Sequence, residues 1–245
     1  YLCPTIVDTL ESCGLSCDYY NIFPSFTIDT NDLERHLRDK QAVYFINYFG
    51  FSPSPAILNY LSDLRGAGRI VIEDNAQAGF LTNTIGDFAF NSMRKLCPFD
   101  GGYLKTALNI EPYLAAYTGI ENHRLPLIRQ YRSQLRDYLF QDIGERESLE
   151  ALFELAESYY ASEGVVLGDE QERQQIEHLN WAAIKQIRRQ NYTRLLRSVA
   201  GIGLLSPIFP ALQPENMPMG LPVYVRNGLR DALNDYLGEN GIGLT

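Results

Sequence analysis

Two residues in this 245-residue sequence carry side chains that could do covalent chemistry together. They are Asp74, within Ile72-Glu73-Asp74-Asn75-Ala76-Gln77, and Lys95, within Ser92-Met93-Arg94-Lys95. Around them stand Asn47-Tyr48-Phe49-Gly50 upstream, Gly86-Asp87 between, and Gly101-Gly102 downstream. A lysine in a partly desolvated site holds an aldehyde as an imine and then carries a proton. A carboxylate beside a ring nitrogen keeps that nitrogen protonated, so that the ring draws electrons from an adjoining carbanion. Pyridoxal phosphate (PLP) makes these two demands of a protein. It also needs donors for its phosphate and a partner for its phenolic oxygen. Each short run is common by itself, and it is their order and spacing that is specific.

Those groups need a scaffold that brings them to one place. Pro4 to Cys13 reads as a helix closed by Gly14, and Ser16 to Ile22 as a strand. Thr30 or Asn31 is placed to cap a short helix through Leu33 and Leu37. Ala42 to Phe49 reads as an apolar strand. Ser54 and Pro55 open a helix through Leu58, Leu61 and Leu64 that Gly66 and Gly68 close. Arg69 to Glu73, Phe88 to Asn91 and Gly102 to Thr106 read as further short strands. Helices alternating with apolar strands predict an α/β layer with a largely parallel sheet. In such sheets ligand groups converge at the carboxyl ends of the strands, where Asp74 and Lys95 both fall.

Beyond Leu108 the period becomes helical. Leu125, Ile128, Tyr131, Leu135 and Tyr138 form one stripe, and Leu149, Leu152, Phe153, Ala156 and Tyr159 a second. Ile176, Leu179, Ile184, Ile187, Leu195 and Val199 form a third, read as one long helix. All three read as packing faces. Four prolines between Ser206 and Gly220 predict a loop or extended edge, followed by a strand over Leu221 to Arg226 and a helix over Gly228 to Leu237.

Composition narrows the function. Hydrophobic residues make up 45% and charged residues 21%, the balance of an ordinary globular protein. A net charge of −9 disfavours a nucleic-acid partner. It leaves room for a small anionic cofactor held by a few local donors. No apolar run is long enough to span a bilayer, and no basic-then-apolar segment opens the sequence. Cys3, Cys13, Cys17 and Cys97 lack zinc-ribbon spacing and read as free thiols of a cytoplasmic protein. His36, His123 and His178 are scattered, so neither a metal site nor a Ser-His-Asp triad is expected.

The stretch from about residue 43 to 106 resembles the DegT/StrS sugar aminotransferases of the fold-type I PLP enzymes. That family has a strand ending in Glu-Asp-x-Ala-Gln or Glu-Asp-x-Ala-His, then Gly-Asp, a serine-bearing strand, the Schiff-base lysine and Gly-Gly. Arg188-Arg189-Gln190-Asn191-Tyr192 is similar to the start of that family's long helix, and residues 220–243 to its C-terminal strand-helix-strand. The resemblance implies a partial fold-type I large domain over 1–120 with a mixed, mostly parallel sheet. Linking helices would follow over 121–200, and a smaller α+β domain over 201–245. It implies Lys95 as the Schiff-base lysine, Asp74 on the pyridine nitrogen, and Gln77 near the ring or its phenolic oxygen. Ser92 would contact the phosphate, with Arg94 as a possible helper, and Asn47 would reach the phenolic oxygen. The implied activity moves an amino group from a donor such as glutamate to a nucleotide-linked keto-sugar, in a homodimer with active sites at the subunit interface. Tyr48 to Phe51 are the expected interface residues.

Two departures accompany the resemblance. Asp74 and Lys95 are only 21 residues apart, so the loop around Thr82 to Thr84 reads as trimmed. Tyr1-Leu2-Cys3-Pro4 matches a point inside the fold, which places the phosphate-binding turn and first helix outside this chain. Residues 241–245 read as the start of a strand. Other outcomes on the same site are a PLP lyase, a different amine acceptor, or a non-catalytic binding module. Plainer roles also exist for each residue: a solvated surface lysine at 95, a helix N-cap at Asp74, a turn residue at Gln77, a structural contact at Arg94, and an Asp87 that fixes the turn after Gly86.

Overall fold

A computed structural model describes residues 2–79, 84–162 and 164–244. Its centre is a four-stranded sheet in the order β1 (Ala42–Ile46), β2 (Ile70–Asp74), β3 (Phe88–Phe90), β4 (Leu104–Thr106). The first three strands are parallel, and β4 returns antiparallel beside β3. Helices α1 (Pro4–Ser12), α2 (Thr30–His36) and α3 (Pro55–Gly66) surround the parallel part. The expected strand over Ser16 to Ile22 does not form; only Ile22 bridges, to Ile28. The α2 cap is Asp29, which accepts from the N–H groups of Asn31 and Asp32, rather than Thr30 or Asn31. A carboxylate is favoured there because it also meets the positive end of the helix dipole. Ser54 caps α3 with Pro55 in its first turn, as the residue types predict.

One face of the sheet carries the main core. Val43, Phe45 and Val71 point to it and pack against Ile28, Leu33, Leu37, Ile57 and Leu61. The alternate strand positions face the other way, and there Tyr44, Ile72 and Phe88 line a cavity of about 1450 Å³ roofed in part by α1.

The helical half contains α4 (Glu111–Leu114), α5 (Arg124–Gln141), α6 (Arg146–Ser162), α7 (Glu170–Glu177) and α8 (Trp181–Val199). The third stripe is therefore two helices. Asn180 breaks it by capping α8 on the N–H of Ala183, and Trp181 Nε1 donates back to Ile176 O at 2.9 Å. The stripes also overstate burial. Ile187 and Leu195 are exposed, as is Phe153. A two-stranded antiparallel sheet, β5 (Leu205–Pro207) with β6 (Val223–Val225), and α9 (Arg230–Glu239) end the chain. Pro207 thus lies in a strand, within the segment read as a loop or extended edge.

Buried charge joins the two halves. Glu172 of α7 has a 5% exposed side chain and is gripped bidentately by Arg132 of α5, at 2.7 and 2.8 Å. Arg129 adds a third contact at 3.0 Å, and the Asp100 N–H a fourth at 2.8 Å. Burial opposes the charge on Glu172. Donation from Arg132, Asp100 N–H and Arg129 outweighs it and holds the carboxyl at about 2, against an ordinary 4.5. A carboxyl depressed by folding contributes stability that is complete above its unfolded value and lost as pH falls through the folded one. Wild-type protein should therefore lose stability between pH 4.5 and about 2 more steeply than Glu172→Gln. Denaturant midpoints measured across that range check this.

Candidate active site

The carboxyl ends of β1, β2 and β3 are in register. Ile46 pairs with Asp74, and Asp74 with Phe90. One residue further along each strand stands an asparagine: Asn47, Asn75 and Asn91. The strands stay bonded to that point, through Asn47 N–H to Asp74 O at 3.0 Å and Asn75 N–H to Phe90 O at 2.7 Å. Of the residues singled out from the sequence, Asn47, Asp74, Gln77, Ser92 and Lys95 lie at or follow this edge, whereas Gly86-Asp87 precede β3.

Asp74 is 5% exposed. Its Oδ2 accepts from Tyr44 Oη at 2.5 Å, and its Oδ1 from the Ala76 N–H at 2.7 Å. The second bond closes a turn and caps no helix, because residues 76–78 are a turn. No cation pairs with this carboxylate among the described residues. Tyr44 is displaced far upward in pKa by burial and by Asp74, and Tyr48 is pushed up to about 12 by the same two causes. Tyr44 thus remains a donor. It lies within the stretch read from sequence as an apolar strand and drew no site role there. The period-2 alternation held the missing signal, because positions 44, 72 and 74 share a sheet face.

Asn47 is 1% exposed. Its amide donates to Glu73 Oε1 at 3.0 Å and to Asn75 Oδ1 at 2.6 Å. Both donors are therefore engaged, and what is left is Oδ1, a buried acceptor without a partner among the described residues. A phenolic oxygen that needs a donor would require this network to open. Gln77 Oε1 accepts from the Phe49 N–H at 2.9 Å, and its amide donors form no bond with described residues. The Ser92 hydroxyl caps nothing.

Lys95 closes a 3-10 turn, Met93–Lys95. With three residues per turn, Met93 and Leu96 lie on one side. They are 0% and 4% exposed and pack with Ile176 and Met217. The same geometry throws Arg94 and Lys95 outward, so Lys95 is exposed in this chain rather than partly desolvated as expected. Its amine bonds to none of the described residues. Arg94 forms a two-pronged ion pair with Glu157 at 3.0 and 3.1 Å and lies over the Tyr160 ring, which is the structural role. Asp87 fixes its turn by accepting from Val71 N–H and pairing with Arg65. Of the Thr82 to Thr84 loop, Thr82 and Asn83 lie outside the described residues.

Of the expected interface aromatics, Phe51 is buried within the chain, while Tyr48 and Phe49 are half-buried. Phe51 is 6% exposed and stacks on Phe209 at 4.0 Å, while Phe26 packs edge-on against Tyr48 and Phe49. The turn is held from behind. Phe49 O and Gly50 O accept from the N–H groups of Met219 and Met217. A Cβ on Gly50, whose φ is +89°, would sit 2.0 Å from Met217 O. Only glycine admits that approach.

Glu73 organises the whole edge, though it drew no role from sequence. It is 2% exposed, accepts Asn47 and Asn75 on Oε1, and accepts the Ile85 and Gly86 N–H groups on Oε2 at 2.8 and 3.0 Å. Glycine at 86 is required because a Cβ there would come within 2.8 Å of Glu73 Cβ.

No protein-family model matches the sequence, and no curated relative does. Solved structures do share the fold. PseC of Helicobacter pylori, an aminotransferase involved in pseudoaminic acid biosynthesis, aligns with a TM-score of 0.65 at 13% identity, over 96% of this chain and 60% of its own. AtS13 of Actinomadura melliaura gives 0.57 at 16%, over 97% and 61%. The aminotransferase TlmJ of Streptoalloteichus hindustanus gives 0.58 at 16%, over 97% and 61%. The chain has the α/β fold of a PLP-transferase in part, spanning about three fifths of the length of these structures.

Glu73→Ala would leave two backbone N–H groups and two amides without their acceptor. It should lower stability by about 3 kcal/mol, from the cost of unpaired buried donors. Guanidinium unfolding measures it.

Proposed function

We propose that this chain is the major part of a PLP-dependent aminotransferase acting on a nucleotide-linked keto-sugar, with an amino acid such as glutamate as donor. The observation that supports the reading is that Asp74 ends β2 with Gln77 three residues on, while Ser92 and Lys95 follow the end of β3, at the carboxyl edge of three parallel strands in register. The donor chemistry fits the cofactor. Asp74 is a buried carboxylate with no cation partner among the described residues, and each oxygen keeps lone-pair capacity beyond the bond it already accepts. Gln77 and Ser92 retain donors for a phenolic oxygen and a phosphate, and the Lys95 amine is free to bond.

PLP, when bound, supplies an aldehyde for amine exchange and an electron-withdrawing ring. Asp74 holds the proton on the ring nitrogen, and the Tyr44 hydroxyl orients Asp74. With PLP bound, Lys95 would hold its aldehyde and, with its amine released, would carry a proton to and from the substrate Cα. Ser92 binds the phosphate, and Gln77 orients the ring. Asn47 serves mainly to hold Glu73 and Asn75. The sugar substrate rests on the fold neighbours and the sequence resemblance. The division at about residues 120 and 200, a cytoplasmic location and a homodimer belong to the same reading. Leu139, Phe140 and Ile143, exposed together at the end of α5, supply apolar surface for such an assembly.

In the full-length protein, borohydride should fix PLP to the peptide that contains Lys95, and Lys95→Ala should abolish that adduct. An adduct that persists in Lys95→Ala removes the assignment. Asp74→Asn should retain PLP yet slow the half-reaction with glutamate by about two to three orders of magnitude, tenfold per lost unit of nitrogen pKa. Stopped-flow absorbance measures this, and a near-normal rate assigns the nitrogen to another residue.

A further inference from the structure

The six residues that begin with Lys95 are held by side chains from helices far downstream. Arg188 of α8 donates Nη2 to both Lys95 O and Leu96 O, each at 3.3 Å. Arg132 reaches Pro98 O at 2.6 Å. Arg124 pairs with the Asp100 carboxylate, and Glu172 takes the Asp100 N–H. Beneath, Met93 and Leu96 are locked in the second apolar cluster. The segment is a platform with its backbone tied at several points, and from its first residue projects an amine that bonds to none of the described residues.

Arg188 differs from the other two arginines. Arg124 and Arg132 each have a carboxylate partner. Arg188 has none among the described residues, although burial disfavours its charge and draws its pKa below the ordinary value. A half-buried guanidinium without a counter-ion is costly. Its observed compensation is the pair of carbonyls that closes the Met93–Lys95 turn, where a helical end leaves acceptors unfilled. Because one of those carbonyls belongs to Lys95 itself, the fork fixes the peptide plane from which the lysine side chain departs.

We propose that Arg188 is the positioning residue of the Lys95 amine, an inference that rests on the reading of Lys95 as the cofactor lysine. It acts through the backbone of residues 95 and 96 and touches no substrate. A merely structural Arg188 would join α8 to the sheet without affecting the amine.

The test uses full-length protein and two measurements. Incubation with PLP, borohydride reduction and peptide mapping give the adduct at Lys95. Competitive acetylation of ligand-free protein gives the Lys95 rate against Lys40, Lys105 and Lys185, the other lysines of the chain. Arg188→Gln should lower the Lys95 adduct about tenfold, the equivalent of one charge-assisted hydrogen bond. Arg188→Lys should recover part of it, since an ammonium reaches one carbonyl of the two. A wild-type adduct yield in Arg188→Gln overturns the proposal. If wild-type protein takes no adduct at Lys95, the cofactor reading fails, and acetylation decides positioning on its own. A Lys95 rate that departs by about threefold or more in Arg188→Gln, with Lys105 unchanged, supports it. An unchanged rate overturns it. If Arg188→Gln does not fold, Arg188→Lys is read by the same measures, and values equal to wild type overturn the proposal.

Discussion

A buried carboxylate that pairs with no cation among the described residues holds the carboxyl edge of the sheet. Glu73 gathers Asn47 from the end of β1, Asn75 from the end of β2, and the Ile85 and Gly86 N–H groups that lead into β3. Four neutral donors replace the water that the ion lost, which is the condition for keeping a charge inside. Because the donors come from three different connections, the carboxylate sets the mutual positions of the segments that bear the candidate residues. Asp74 is the next residue in the chain and points to the opposite face. The two adjacent acids therefore divide the work, one oriented inward to organise and the other outward toward the chemistry.

A second constraint acts from the helical half. Arg94, Glu157, Arg124 and Asp100 form one set of ion pairs and Arg129, Arg132 and Glu172 another, and the Asp100 N–H bond to Glu172 joins them between α5, α6, α7 and the residues flanking Lys95. Isolated surface pairs contribute little, but a bidentate grip on a 5% exposed carboxylate is a different case. Breaking one partner would leave a charge buried without compensation. The lysine turn thus receives its apolar anchor from Met93 and Leu96 and its polar anchors from helices up to 93 residues away.

The sheet has two unlike faces. One is filled by α2 and α3. The other looks onto the cavity beneath α1, whose residues are nowhere fully buried. Parallel strands are ordinarily covered on both sides. Tyr44 and Tyr48 line that cavity, while Asp74, Gln77, Ser92 and Lys95 do not.

Much of this was legible in the sequence, for local reasons. Alternation with β-branched and aromatic residues located β1, β2 and β3, and Ser54-Pro55 with Gly66 and Gly68 bounded α3, because caps and turns depend on a few adjacent residues. Asp74 and Lys95 could be assigned to strand ends for the same reason. Other features depended on contacts between distant segments. A helical stripe does not reveal that Ile187 and Leu195 stay exposed, since burial depends on what lies opposite. Phe51 looked like interface until Phe209 stacked on it, while Tyr48 and Phe49 stay half-buried against Phe26. Asn47 looked like a cofactor donor until Glu73 and Asn75 took both its hydrogens. Glu73 stands at an inward position of an apolar strand, where a buried acid is uncommon, and drew no role from sequence. Its four partners lie 2 to 26 residues away along the chain and meet only when parallel strands align, so tertiary structure alone decided what it holds.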